Sequence, residues 1–138
     1  MKYPSHTELI AAHKKIQQYI HRTAVLTSSS SNILTKSDLY FKCENFQKMG
    51  AFKMRGAMHK ILQLNPEERS KGVATHSSGN FAQALALSAN ILHIPAFIVM
   101  PENAPEVKKK AVAGYGGKIF ECEPTLEARE KTAEQLID

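Results

Sequence analysis

Residues 72–100 read GVATHSSGNFAQALALSANILHIPAFIVM, and their pattern decides the fold. The short apolar run at 72–75 has the length of a strand. Over 79–92, Phe81, Ala84, Leu85 and Ser88 or Ala89 recur on one side of a helix. At 96–100, AFIVM is apolar without interruption, as suits a strand covered on both faces. Strand, helix and strand joined by short connections predict a βαβ unit with parallel strands and a right-handed crossover.

The alternation continues downstream. Ala104 and Pro105 open a helix that ends near Gly116 and Gly117, where glycine can adopt the left-handed cap. A strand is predicted over 118–122, and Thr125 caps a last helix through Leu136. The fold class is therefore α/β, a parallel sheet with helices on both faces. Because the chain stops in or just after a helix, a further βα unit is expected to be missing.

Such sheets bind ligands beyond the carboxyl ends of their strands. Residues 75–80, THSSGN, fall at such an end, between a strand and a helix N-terminus. Two hydroxyls, a glycine, a carboxamide and free backbone N–H groups suit a carboxylate or phosphate. The alternative is an ordinary helix cap in which Ser77 or Ser78 serves only the helix. The segment by itself divides these readings evenly.

Upstream, residues 41–57 read FKCENFQKMGAFKMRGA. The alternating, aromatic DLYFKC at 38–43 predicts a short strand. A polar turn carrying Gly50 follows, then a helix over 53–64 with Met54, Ala57, Ile61 and Leu64 at helical intervals. Lys53 stands at that helix start beside Arg55, and both the helix terminus and the cation favour a neutral, nucleophilic amine. Chemistry alone gives more weight to a solvated surface lysine. Asn65, Pro66, Glu67 and Glu68 supply a cap, a first-turn proline and early acids for another short helix.

Nearer the N-terminus, Ser5 and Glu8 have capping-box spacing, and Leu9, Ala12, Ile16, Tyr19 and Ile20 recur at helical intervals, predicting a first helix of about four turns. Residues 27–32, with four consecutive serines, read as a loop or turn.

At 138 residues, with 43% hydrophobic and 22% charged residues, the chain suffices for one globular domain with a core. No apolar run reaches membrane-spanning length, because the best one, 91–100, is broken by His93 and Pro95. The first ten residues lack a secretory apolar region, so a cytoplasmic location is expected. Cys43 and Cys122 have no metal-ligand spacing, so neither a zinc site nor a disulfide framework is indicated. The net charge of +5 suits nucleic acid or a small anion. Basic and aromatic residues do not interleave, which argues against nucleic acid, and the run Lys108, Lys109, Lys110 reads as a solvated helix face. The nucleotide-cradling G-x-x-x-x-G-K-[ST] is absent, and residues 114–117 do not fit G-x-G-x-x-G.

Two segments together carry a resemblance. ENFQKMGAFKMRGA at 44–57 resembles the lysine motif E-x-x-Q-x-T-G-S-F-K-x-R-G-A of the fold-type II pyridoxal-phosphate enzymes, in the serine racemase and serine/threonine dehydratase branch. THSSGNFAQAL at 75–85 is similar to that branch's S-S-G-N-H-x-Q loop, and the similarity continues through 94–112 and 114–130. The resemblance implies pyridoxal phosphate as cofactor, with Lys53 as its Schiff-base lysine, Phe52 packed beside it and Asn80 bonded to its ring hydroxyl. Ser77, Ser78, Gly79, Asn80 and Phe81 would form the substrate loop, and Ser78 would be the acid/base opposite the lysine. Bases on both faces imply racemisation, and the lysine alone implies dehydration with ammonia loss.

The resemblance also implies a small amino-acid substrate, a homodimer, and a nucleotide effector at Ser28, Ser29, Lys48, Met49, Gln83 and Tyr115. Residues 1–68 would belong to a large domain and 69–138 to a small βαβ domain. Three positions depart from the pattern: Ala51 replaces Ser, Met49 replaces Thr and Phe81 replaces His. The family's phosphate-binding glycine loop and the residue facing the pyridine nitrogen come from a second half, so the chain alone is expected to be poorly active. The competing expectation is a non-catalytic α/β module that binds a small anion.

Overall fold

The computed structural model describes residues 3–137. Three parallel strands, β3 (Val73–His76), β4 (Ala96–Pro101) and β5 (Lys118–Cys122), form a sheet in the order β3, β4, β5. Between them run α5 (Asn80–Ile91) and α6 (Glu106–Gly114), and α7 (Leu126–Glu134) follows. These are the elements the alternating pattern predicts.

Alternation along β4 separates the two faces. Ile98 and Met100 join Ala82, Leu85, Ala86, Ala89 and Val112 in one buried cluster, which places α5 and α6 on their side. Phe97 points the other way and meets Phe120 with ring centroids 6.1 Å apart, on the face that α7 covers. Gly117 makes the first face close-packed, since an added Cβ would lie 2.9 Å from Val112, 3.0 Å from Ala86 and 3.2 Å from Ile98. Phe81 departs from its expected place among the core residues and is 38% exposed, while the next residue, Ala82, is buried.

The region before the sheet holds more surprises. Helix α1 (His6–Ile16) starts at the predicted capping box of Ser5 and Glu8 but stops a turn early. Ile20 nevertheless reaches the core from the following turn, whereas Leu9 is 55% exposed. The serine run is not a loop. Ser28 caps α2 (Ser29–Thr35) by accepting from the Ser31 amide at 3.3 Å. Serines that compete with a helix interior are favoured at its N-terminus, and here they fill the cap and first turn. The predicted strand at 38–43 shrinks to β2 (Phe41–Lys42), paired antiparallel with an unforeseen β1 (Val25–Leu26).

Helix α3 (Lys53–Ile61) and the short α4 (Pro66–Lys71), the latter capped by Asn65 as predicted, complete this part. Helix α3 packs along α5. Ile16, Ile20, Met54 and Met58 form a second buried cluster, against which Leu87, Ile91 and Leu92 pack from the α5 side. Within that contact the Ser88 hydroxyl donates to the Met54 sulfur at 3.4 Å. Cys43 is buried and Cys122 half-buried, and both are free thiols.

Lys109 corrects the solvated-face reading of residues 108–110. Its ammonium donates to Glu121 Oε1 at 2.6 Å and to the Glu102 carbonyl at 2.7 Å, and only 13% of its side chain is exposed. The pattern showed three adjacent lysines, but only the fold brings β5 under the middle one.

Candidate active site

The candidate lysine begins α3, and the candidate serine loop begins α5. Two tight 3₁₀ turns, Glu44–Phe46 and Lys48–Gly50, lead into Lys53. The second turn reverses through Met49 at φ 53° and Gly50 at φ 76°, two successive left-handed residues of which only the glycine is free of a steric penalty. Lys53 is exposed, and its Nζ lies 4.7 Å from the centroid of the exposed Phe52 ring. Among the described residues Lys53 makes no ion pair.

Arg55 does not act on Lys53 as an isolated cation. Its Nε donates to Glu44 Oε2 at 2.8 Å and its Nη2 to Glu44 Oε1 at 2.7 Å, a bidentate pair. Thr23, itself buried, donates to Glu44 Oε1 at 2.6 Å. Hydrogen bonding from Arg55 is the main cause that holds the Glu44 carboxyl down at about 2, against an ordinary 4.5, and the same bonds raise Arg55. The local positive field expected at Lys53 is thus neutralised in place.

Gln47 is 3% exposed. Its Nε2 donates to the His21 carbonyl at 2.8 Å, and its Oε1 accepts from the amides of His21 and Lys48, each at 2.9 Å. The role of this side chain was not readable in advance. The available signal was its place in the motif, a polar residue amid a tight turn.

The serine loop continues β3 at the carboxyl end of the sheet. The Ser77 amide donates to the Val99 carbonyl at 3.1 Å, which carries the strand pairing into the loop. Ser77 Oγ accepts from the Gly79 amide at 3.3 Å, a bond inside the loop and not to the helix. Gly79 occupies the N-cap position of α5, which has no side-chain cap. The cap reading of Ser77 and Ser78 therefore fails, and the first N–H groups of a 12-residue helix are left for another acceptor. By contrast, α1, α2, α4 and α7 are capped by Ser5, Ser28, Asn65 and Thr125, while α3 and α6, preceded by Phe52 and Pro105, share with α5 the lack of a side-chain cap.

The remaining predicted positions are placed unevenly. The turn bearing Lys48 and Met49 touches α5, the helix that carries Gln83. Met49 packs against the methionine cluster, and Tyr115 caps α6 while packing on the main core. Ser28 is committed to capping α2, and Ser29 is that helix's first residue. An apolar cavity of about 270 Å³ lined by Leu64, Val73, Phe97 and Leu136 sits instead where β3 begins, away from the loop at that strand's end. Its lining also includes Glu68 and Lys71, and the Lys71 amine lies 3.6 Å from Glu67.

An exposed amine on one helix, packed beside a second helix whose N-terminus faces no side-chain cap, defines the class. It is an α/β protein that presents an exposed lysine amine and a helix N-terminus whose backbone amides no side chain caps. The model of the family described as pyridoxal-phosphate dependent enzyme matches residues 16–138, and the chain belongs to that family. It is 54% identical over 127 residues to a serine racemase of Dictyostelium discoideum, covering 92% of this chain and 39% of that protein. A β-hydroxyaspartate dehydratase of Paracoccus denitrificans is 48% identical over 132 residues, covering 96% of this chain and 42% of that protein. The solved structure of maize serine racemase superposes with a TM-score of 0.90 at 47% identity, covering 93% of this chain and 39% of the other. The chain thus spans about 40% of the length of the relatives it matches.

Proposed function

We propose that this chain contributes the lysine and the substrate loop of a pyridoxal-phosphate dependent racemase or ammonia-lyase acting on serine- or threonine-like hydroxy amino acids. The observation that carries the reading is the packing of α3, which begins with the exposed Lys53, against α5, whose N-terminus has no side-chain cap. The residues fit the cofactor's chemistry. Lys53 would hold it through its amine, Phe52 would offer an apolar flank and Asn80 would reach its ring hydroxyl.

The bound cofactor supplies an electron sink for negative charge at a substrate Cα. Ser77, Ser78, Gly79 and Asn80, with the free α5 amides, would hold the substrate carboxylate. Ser78 would move a proton on the face opposite Lys53. Phe81, in place of a histidine donor, leaves that carboxylate to the backbone and the hydroxyls, and its exposed ring favours a substrate with little polar bulk there.

The finer readings belong to the same proposal. Residues 1–68 form a segment of a large domain and 69–138 a small βαβ domain, in keeping with an antiparallel pair confined to the first and a parallel sheet confined to the second. The full-length protein acts as a cytoplasmic homodimer. A nucleotide effector binds near Lys48, Met49 and Gln83, supported by the contact of that turn with α5. No helix of the described residues is long and apolar enough to cross a membrane.

The test is covalent. With pyridoxal phosphate and borohydride, the label should be recovered on the peptide containing Lys53, and Lys53→Ala should abolish it. A label spread over other lysines would sink the proposal. Because it spans about 40% of its relatives' length, the 138-residue chain tested by itself should turn over serine well below about 1 per second. Serine binding without any cofactor capture would instead identify a small-anion module.

A further inference from the structure

We propose that Gln47 and the pair of Glu44 and Arg55 are positioning residues that aim Lys53. The inference rests on the reading of Lys53 as the cofactor lysine. Both side-chain groups grip the same short segment after α1. Gln47 bonds the amide and the carbonyl of His21, and Glu44 bonds the hydroxyl of Thr23 two residues on. On the other side, Gln47 holds the Lys48 amide at the start of the reversing turn, while Arg55 ties Glu44 to the first turn of α3. Lys53 lies between these two anchor points.

Such a clamp answers a strain in the turn. The turn between the anchors contains Met49 at φ 53°, a left-handed conformation that is strained for a residue with a side chain. Within the turn the Gly50 amide donates to the Gln47 carbonyl at 2.8 Å and Met49 packs on the methionine cluster, and the clamp adds to these a tie to His21 and Thr23. Lys53 itself has no hydrogen-bond or ion-pair partner among the described residues that would orient it. Its Nζ, 4.7 Å from the ring of the adjacent Phe52, moves with the local backbone, which is held by the buried Gln47 and the half-buried pair of Glu44 and Arg55. The clamp is polar and fully satisfied, so it specifies one arrangement where an apolar contact would tolerate several.

The experiment compares the full chain with Glu44→Gln and Gln47→Glu. Glu44→Gln keeps the shape but weakens the bidentate charge pairing with Arg55, and Gln47→Glu keeps acceptors for the two amides but cannot donate to the His21 carbonyl. Each is treated with excess pyridoxal phosphate and borohydride, and the label on every lysine peptide is quantified alongside far-ultraviolet circular dichroism. In variants that retain the parent spectrum, labelling of Lys53 should fall roughly tenfold or more, as misplacement of a reacting group does. Labelling of distant lysines such as Lys131 should be unchanged.

A merely structural role would change the spectrum and all lysines together, and that result overturns the proposal. A folded variant that labels Lys53 at the parental rate also overturns it, while leaving the cofactor-lysine reading intact. A parent chain with no preference for Lys53 removes that reading and the positioning proposal with it.

Discussion

The two helices that carry the candidate chemistry are positioned by different physics. Helix α5 is aimed by the sheet: β3 delivers its loop, the Ser77 amide extends the pairing to Val99, and an apolar cluster closed by Gly117 locks the helix from below. Helix α3 is aimed by polar side chains, the buried Gln47 and the half-buried pair of Glu44 and Arg55, and its core contact combines Met54 and Met58 with Ile16 and Ile20. A strand register fixes geometry through repeated backbone bonds, which nearly any apolar sequence can supply. A turn has no such ladder, and its geometry depends on a few identified side chains. The sheet side should therefore respond to lost volume, and the lysine side to lost hydrogen bonds and to acid.

The largest effect is expected from Ile98→Ala. Ile98 is fully buried at the centre of the middle strand, so the lost contacts and the cavity should cost about 2–5 kcal/mol in denaturant unfolding. A cost below ~1 kcal/mol would mean that the sheet core is looser than its packing around Gly117 indicates.

Next comes the clamp. Glu44→Gln should cost about 1.5–3 kcal/mol near neutral pH, the range for hydrogen bonds to a charged group. Because the folded state depresses the Glu44 carboxyl from 4.5 to about 2, its contribution is fully present above about 4.5 and is lost as pH falls toward 2. Acid titration of the parent should show this loss, and the variant should show a flatter acid limb. An unchanged acid limb would contradict the assignment.

The smallest pair of effects tests the caps. Thr125 Oγ1 accepts from the Ala128 amide at 3.1 Å, so Thr125→Ala should lower stability by about 1 kcal/mol. Ser78→Ala should change it by less than ~0.5 kcal/mol, since α5 has no side-chain cap to lose. Equal costs at both positions would restore the ordinary-cap reading of the serine loop.

Much of the sheet was legible because each of its elements has a local cause. AFIVM needs burial on two faces, Asn65 and Thr125 carry oxygen acceptors before helical runs, and Gly116 takes the left-handed conformation where the α6 pattern ends. The N-terminal part was less legible. The serines that read as a loop are helix α2, because serine is a poor interior residue but a good first-turn one. The two-residue strands are too short to leave a period, and Leu9 sits at a helical interval yet stays 55% exposed. At the site, motif resemblance singled out Lys53 and residues 77–80, yet gave Gln47 and Glu44 no role. Their partners, His21 and Thr23, lie 26 and 21 positions away.

The sequence by itself determined the order of strands and helices from Lys53 onward, the parallel sheet and the two motifs, because periodicity, caps and glycines act over a few neighbouring residues. Only the tertiary structure decided that Arg55 is spent on Glu44, that Lys109 is sequestered under β5, and that Ser77 and Ser78 leave the α5 N-terminus free. Each of these depends on which distant group arrives within hydrogen-bond reach, and that is a property of the packed chain rather than of any segment in it.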